Sequence, residues 1–238
     1  MSQHKNFKDW IVFEDDDYLV INKPPYVSTL EDRTGAASVL DLAKAYNEGC
    51  QVCHRLDKET SGALLISKHS AAYKHANAQF AYRTIEKTYH AVADGLHTLS
   101  EKVIDLPLHV ASSGAVRVNK KTGKISTTVV TSLKHYKYHT LVECKPLTGR
   151  MHQIRVHMAA IGAPLVADVV YGGKQLLLSS IKKKYKAKIE QDERPLLARV
   201  ALHAFALKFK DFKDNIQEIA CPYPKDFETV IKQLEKNS

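Results

Sequence analysis

No apolar run in the 238-residue chain approaches the ~18 residues that a membrane-spanning helix needs. The longest candidate, Ala159 to Val170, is interrupted by Pro164 and Asp168, so no membrane partner is expected. The N-terminus, MSQHKNFKDW, lacks the apolar core of a secretory signal, which points to the cytoplasm. Cysteine is sparse too. Of four, Cys50 and Cys53 form a C-x-x-C, while Cys144 and Cys221 stand apart. A structural zinc site wants a second paired ligand set, so free thiols and no metal are expected. His152 and His157 do not supply that set, because their spacing puts them on different faces of a helix, unlike an i, i+4 pair. Repeats, low-complexity tracts and a dividing linker are also missing. The length fits one large domain or two small ones, and a single domain over 1–238 is expected.

Hydrophobic residues make up 44% of the chain and charged ones 26%, the profile of a soluble globular protein. Thirty-five basic residues against 26 acidic ones leave a net charge of +9. That surplus suits a polyanionic partner such as RNA, or serves solubility alone; composition does not separate the two.

The stretch from Cys53 to Gly62, CHRLDKETSG, has polar turn chemistry and runs into the apolar Ala63-Leu64-Leu65-Ile66. Its charged residues cannot be buried unpaired. Thr60, Ser61 and Gly62 suit a tight turn, and the apolar residues after them have the length of a core strand. Such an anchored loop can hold Asp57 steady at the rim of a cleft.

Strands are expected at Ile11–Phe13 and Tyr18–Ile21, split by an acidic turn, with Asn22-Lys23-Pro24-Pro25 stopping the second. A helix capped by Ser38 runs toward Gly49, and another covers His69 to Arg83. Alternation from Ile85 to Ala93 places Tyr89 on one side of a strand, as core or as an aromatic shelf for a base. Between Leu99 and Tyr138 the pattern is β-rich, and Asn119 to Lys124 reads as a lysine-bearing hairpin turn joining strands 115–118 and 127–133. Thr140 to Cys144 is the next strand. A second dense stretch, Leu147 to Met158, opens a helix reaching Gly162. On it Arg155 is either a surface arginine or a fixed cation for a carboxylate or phosphate. Lys174 to Arg194 is a basic segment, too rich in lysine for the core and read as an exposed insertion. Strands at Val200–Leu207 and Gln217–Ala220 and a helix at Asp226–Leu234 close the chain.

HRLDKETSG, from His54 to Gly62, resembles the signature of the RluA branch of the RNA pseudouridine synthases. Asn22-Lys23-Pro24, Glu86-Lys87-Thr88-Tyr89, LTGRMHQIRVHM (147–158) and Leu202-His203-Ala204 extend the resemblance over roughly Val12 to Leu207. It implies an α+β fold, a long, mixed, mostly antiparallel sheet bent around an RNA-binding cleft and flanked by helices, with no S4 domain before Trp10. It implies isomerisation of uridine to pseudouridine in ribosomal or transfer RNA, without cofactor or metal, and a monomer is expected. By position, Asp57 would be the catalytic aspartate, Tyr89 the aromatic partner of the base and Arg155 the basic partner of Asp57. Arg55 would help extrude the nucleotide. His54, Thr60, Arg150, His152, Lys182 and Lys184 complete the expected RNA contacts. Met151 stands where relatives commonly have threonine or serine, and Ala167 where many have glycine before Asp168. The rival of another class is a non-catalytic RNA-binding protein on this fold; a glycoside hydrolase would need a second carboxylate across the sugar, and only Glu59 is near.

Overall fold

In chain order the computed structural model contains β1 (Ile11–Glu14), β2 (Tyr18–Lys23), α1 (Val39–Tyr46), β3 (Gln51–Val52), β4 (Ser61–Ser67), α2 (Ser70–Tyr82) and β5 (Glu86–Asp94). There follow β6 (Lys102–Asp105), β7 (Leu108–Val110), β8 (Val116–Val118), β9 (Thr127–His135), β10 (His139–Pro146) and α3 (Gln153–Ala160). The chain ends with α4 (Leu178–Ile181), β11 (Leu202–Lys210), β12 (Ile216–Ala220) and α5 (Lys225–Lys236). The structure describes residues 6–182, 185 and 193–238. These residues form two compact units: the chain up to Thr88 with Ala204–Pro222, and Tyr89–His203 with Tyr223–Ser238.

In the first unit β2 pairs antiparallel with β1 and with β4, in a register running from Tyr18↔Ser67 to Lys23↔Gly62. Beyond β4 lies β11, which pairs antiparallel with β12. Every residue of β4 is buried, as a central strand with both faces covered requires. Gly62 has φ 113°, and a Cβ there would sit 2.1 Å from the Ala204 carbonyl oxygen, so only glycine lets the two backbones approach. Tyr18, Leu65, Ala72, Ala76, Leu207 and Phe209 build the core beneath α2. The acidic turn closes because Asp15 Oδ1 accepts the N–H groups of Asp17 and Tyr18. Ser38 caps α1 in a capping box with Asp41, and the helix stops at Asn47, short of the expected Gly49.

In the second unit the strand order is β5-β10-β9-β6, antiparallel throughout. Alternation along β5 sends Ala91 and Ala93 to one core with Ile154 and Met158, and Val92 to another with Leu141, Phe227 and Val230. Arg199 is 1% exposed, grips Asp226 with Nε and Nη2 at 2.7 and 3.0 Å, and so pins the start of α5.

The expected α+β class holds, with antiparallel strands and flanking helices in each unit. One expectation fails. Residues 119–124 do form a turn, but β8 pairs with β7, while β9 pairs with β6 and β10. The short β6 and β7 carry too little pattern to announce themselves as the true partners. The basic segment is also less detached than its lysines suggest, because Leu176 and Ile181 are 2% and 5% exposed within the core of the second unit.

Candidate active site

The loop that carries Asp57 is fixed from several sides within the first unit. Thr29 Oγ1 donates to the Leu56 carbonyl at 2.8 Å and accepts the Leu56 N–H at 3.1 Å. The Lys58 carbonyl accepts the Tyr26 N–H at 2.8 Å and the Lys23 ammonium at 3.2 Å. Lys23 is fully buried and also donates to the carbonyls of Pro24 and Val27, at 3.0 and 2.9 Å. A buried ammonium is tolerable only with such partners, and these tie the β2 end to the loop. The Lys58 side chain reaches Asp32 at 2.8 Å, which holds the Asp32 carboxyl well below the usual range. The Thr60 N–H closes the turn on the Asp57 carbonyl at 3.0 Å. Asp57 is thus a half-buried side chain on a backbone held on both flanks.

His54 braces the same loop. Its Nε2 accepts the Leu65 N–H at 3.0 Å, and its ring lies 5.0 Å from that of Phe80. Burial, then the nearby Lys87 charge, pushes its pKa down to about 3. Burial likewise lowers His90 to about 4. Both groups are neutral in the folded protein where the unfolded chain begins to bind protons, near pH 6.5. Stability therefore falls as pH falls from 6.5 toward 4, by about 1.4 kcal/mol per pH unit for each such histidine. His54→Gln keeps an acceptor without titrating, so urea denaturation at pH 7, 6 and 5 should show a slope shallower by one such increment. An unchanged slope would mean that His54 protonates in place.

Arg155 sits in the second unit, 7% exposed. It is the fixed cation, not a surface residue on an amphipathic helix, because all of Gln153 to Met158 is buried. Nε and Nη2 grip both oxygens of Asp168 at 2.7 Å each, and Asp168 is 2% exposed. The Arg155 guanidinium lies 4.9 Å from the centre of the Tyr171 ring, whose hydroxyl is 2.8 Å from His152 Nδ1. His152, Arg155, Asp168 and Tyr171 form one cluster. Asp168 is held by a tight loop in which Ala167, with φ 61°, occupies the conformation that glycine takes most easily.

Gln153 organises the preceding turn. Its Oε1 accepts from Thr148 Oγ1 and the Arg150 N–H, at 2.6 and 3.0 Å, and its Nε2 donates to the Thr127 carbonyl at 2.9 Å. Tyr89 is half-buried on β5 opposite Cys144 and packs against the core that contains Ile154. Lys87, two residues earlier, is lowered to about 8, first by burial and then by Arg83. Of the expected RNA contacts, Arg55, Arg150 and Lys182 are exposed, His54 and His152 half-buried and Thr60 buried; Lys184 lies outside the described residues. Lys23, Gln153, Asp168 and Tyr171 carry no functional signal as single residues of the sequence. Each lay inside or beside a motif, yet only the fold shows what they grip.

The sequence model described as RNA pseudouridylate synthase matches residues 17–160. A ribosomal large subunit pseudouridine synthase C from Vibrio parahaemolyticus is 33% identical over 95% of this chain and 69% of its own length. A ribosomal large subunit pseudouridine synthase D from Vibrio vulnificus is 32% identical over 96% of this chain and 71% of its own. Among solved structures, human RNA pseudouridylate synthase domain containing 1 superposes with a TM-score of 0.69 at 29% identity, over 90% of this chain and 83% of that one. With the Asp57 loop and the Arg155 helix in place, these matches make the chain an RNA pseudouridine synthase, a member of the RluA branch whose signature its residues 54–62 carry.

Proposed function

We propose that this isomerase converts a uridine of large-subunit ribosomal RNA to pseudouridine, with Asp57 as the reacting carboxylate. The observation that carries the reading is the loop held on both flanks of Asp57, from Thr29 to Leu56 and from Lys23 to Lys58. Ribosomal rather than transfer RNA is favoured by the names of both bacterial relatives. The N1–C1′ bond breaks, the uracil turns, and C5 joins C1′ as the C5 proton leaves and N1 takes up a proton. The carboxylate serves either by bonding to the sugar or by taking its C2′ proton. Arg155 is proposed as the basic partner that keeps Asp57 ionised against the desolvation of a closed site. Leaving the stack costs the uridine a few kcal/mol, which Arg55 and the Tyr89 ring are proposed to offset. His54 and Thr60 shape the loop that meets the RNA, and Arg150, His152, Lys182 and Lys184 contact it around the reacting nucleotide. The 1–238 chain acts as one catalytic domain with its basic 174–194 insertion, a cytoplasmic monomer needing no cofactor. Incubating the purified protein with unmodified large-subunit ribosomal RNA, then mapping pseudouridines, tests this reading; no new pseudouridine there, with one in transfer RNA, would reassign the target.

Tyr89→Phe and Tyr89→Ala should part company. Phenylalanine keeps a stacking face and the volume against Ile154, so RNA affinity is expected to stay at the wild-type level. Alanine loses both, at a cost to binding of about 1–3 kcal/mol. Equal RNA affinity of the two variants in a filter-binding titration would reduce Tyr89 to a core residue.

A further inference from the structure

A cavity of about 350 Å³ opens in the second unit between the β7–β8 hairpin and the turn at 149–151. Leu108, Val110, Val116 and Met151 give it an apolar lining. His109, Thr122, Lys124 and Arg150 supply the polar part, and no carboxylate is among the described residues that line it. The walls are built, not incidental. Leu108 and Val116 pack on Val156 of α3, which fixes the hairpin to the helix that carries Arg155. Leu108 and Lys124 exchange backbone hydrogen bonds at 3.0 and 2.8 Å. Arg150 Nε donates to the Ile125 carbonyl at 3.2 Å, which holds its guanidinium at the edge. Arg117, Lys120 and Lys121 add exposed positive charge along the same hairpin.

We propose that this cavity is a second nucleotide subsite, holding an unpaired nucleotide of the substrate RNA other than the uridine that reacts. The volume falls within the ~300–1,000 Å³ typical of small-molecule sites. An unstacked base presents a flat apolar face to Val110, Met151 and the His109 ring, while its phosphates meet Lys124 and Arg150. A base inside a duplex offers no such face, so the subsite selects single-stranded or bulged segments. The proposal rests on the RNA-substrate reading above and deepens it: the enzyme would read the unpaired surroundings of its target as well as the target.

Methyl NMR of the full chain, following Val110, Val116 and Met151, tests the subsite directly. A single-stranded hexauridylate should shift these signals, whereas an RNA duplex of equal length and inorganic phosphate should not. Gly149 lines the cavity and a Cβ there meets no atom within 4 Å, so Gly149→Phe is the variant chosen to fill it. It should abolish the shifts. Lys124→Gln should weaken binding about 10-fold or more, the loss of one charge-assisted contact. Shifts given equally by phosphate would mean an anion site only, and shifts given equally by the duplex would mean backbone attraction only; either overturns the proposal. So does hexauridylate binding that leaves the three methyl signals still or that survives in Gly149→Phe. Pseudouridine formation by the wild type on ribosomal RNA is measured in parallel. Methyl shifts without turnover would keep the subsite and reject the proposed target, and turnover without methyl shifts would do the reverse.

Discussion

Asp57→Asn is expected to cut pseudouridine formation by on the order of 10⁴-fold or more while thermal stability and RNA affinity stay near wild type. The amide has the shape of the carboxylate, and the backbone that carries it is held elsewhere: Leu56 by Thr29, Lys58 by Lys23 and Tyr26, the turn by Thr60. None of these contacts is made by the carboxylate at 57. The chemistry depends on it. A carboxylate can bond to C1′ as N1 departs, or accept the C2′ proton; a neutral amide does neither at a useful rate. Because the C5 proton of the uracil is replaced by the bond to C1′, release of tritium from RNA labelled at C5 counts turnovers directly. Tritium release by Asp57→Asn near the wild-type rate, from a protein that melts and binds as the wild type does, would remove Asp57 from the reaction.

Parts of the fold around these residues were legible in the sequence, and the parts that were not share one physical reason. The loop at 54–62 and the strand after it could be read because turn chemistry and an unbroken apolar run are local signals. The same holds for α1 with its Ser38 cap, for α2 and for the alternation along β5. Arg155 was legible as a surface arginine or as a fixed cation for a carboxylate or phosphate. That the carboxylate is Asp168 was not, because the pair is formed by a loop that returns from beyond α3. Local pattern misled at 119–124, where a good turn stands between strands that pair with other neighbours. The sequence left a surface position open for Arg155, and the burial of residues 153–158 closes it. Long-range pairing decides such outcomes, and a single sequence records it only as hydrophobicity.

Asp168→Ala should cost about 3–5 kcal/mol of stability, because it removes the carboxylate that Nε and Nη2 of Arg155 both grip in a site almost closed to water. The Asp168 side chain is 1% exposed and that of Arg155 9%, so solvent cannot take over the charge. Tyr171 adds a ring face at 4.9 Å, worth little against a lost counter-ion in that position. Asp168→Asn should fall at the low end of the range, since an amide oxygen still accepts one hydrogen bond. Turnover is expected to drop in both, because the fork that orients the guanidinium has been opened. Arg155→Lys should lose nearly as much rate, as lysine keeps the charge without the planar grip on both oxygens. Stability and catalysis are separated by replacing the pair together. Arg155→Met with Asp168→Leu removes both charges and fills the space with apolar atoms, an exchange that is often neutral or stabilising in buried pairs. Urea denaturation should therefore show the double variant near wild-type stability, while tritium release stays at the level of the single variants. Recovery of turnover along with stability would make Arg155 and Asp168 a structural clamp and nothing more. Stability without turnover assigns Arg155 to the reaction and Asp168 to holding it in place.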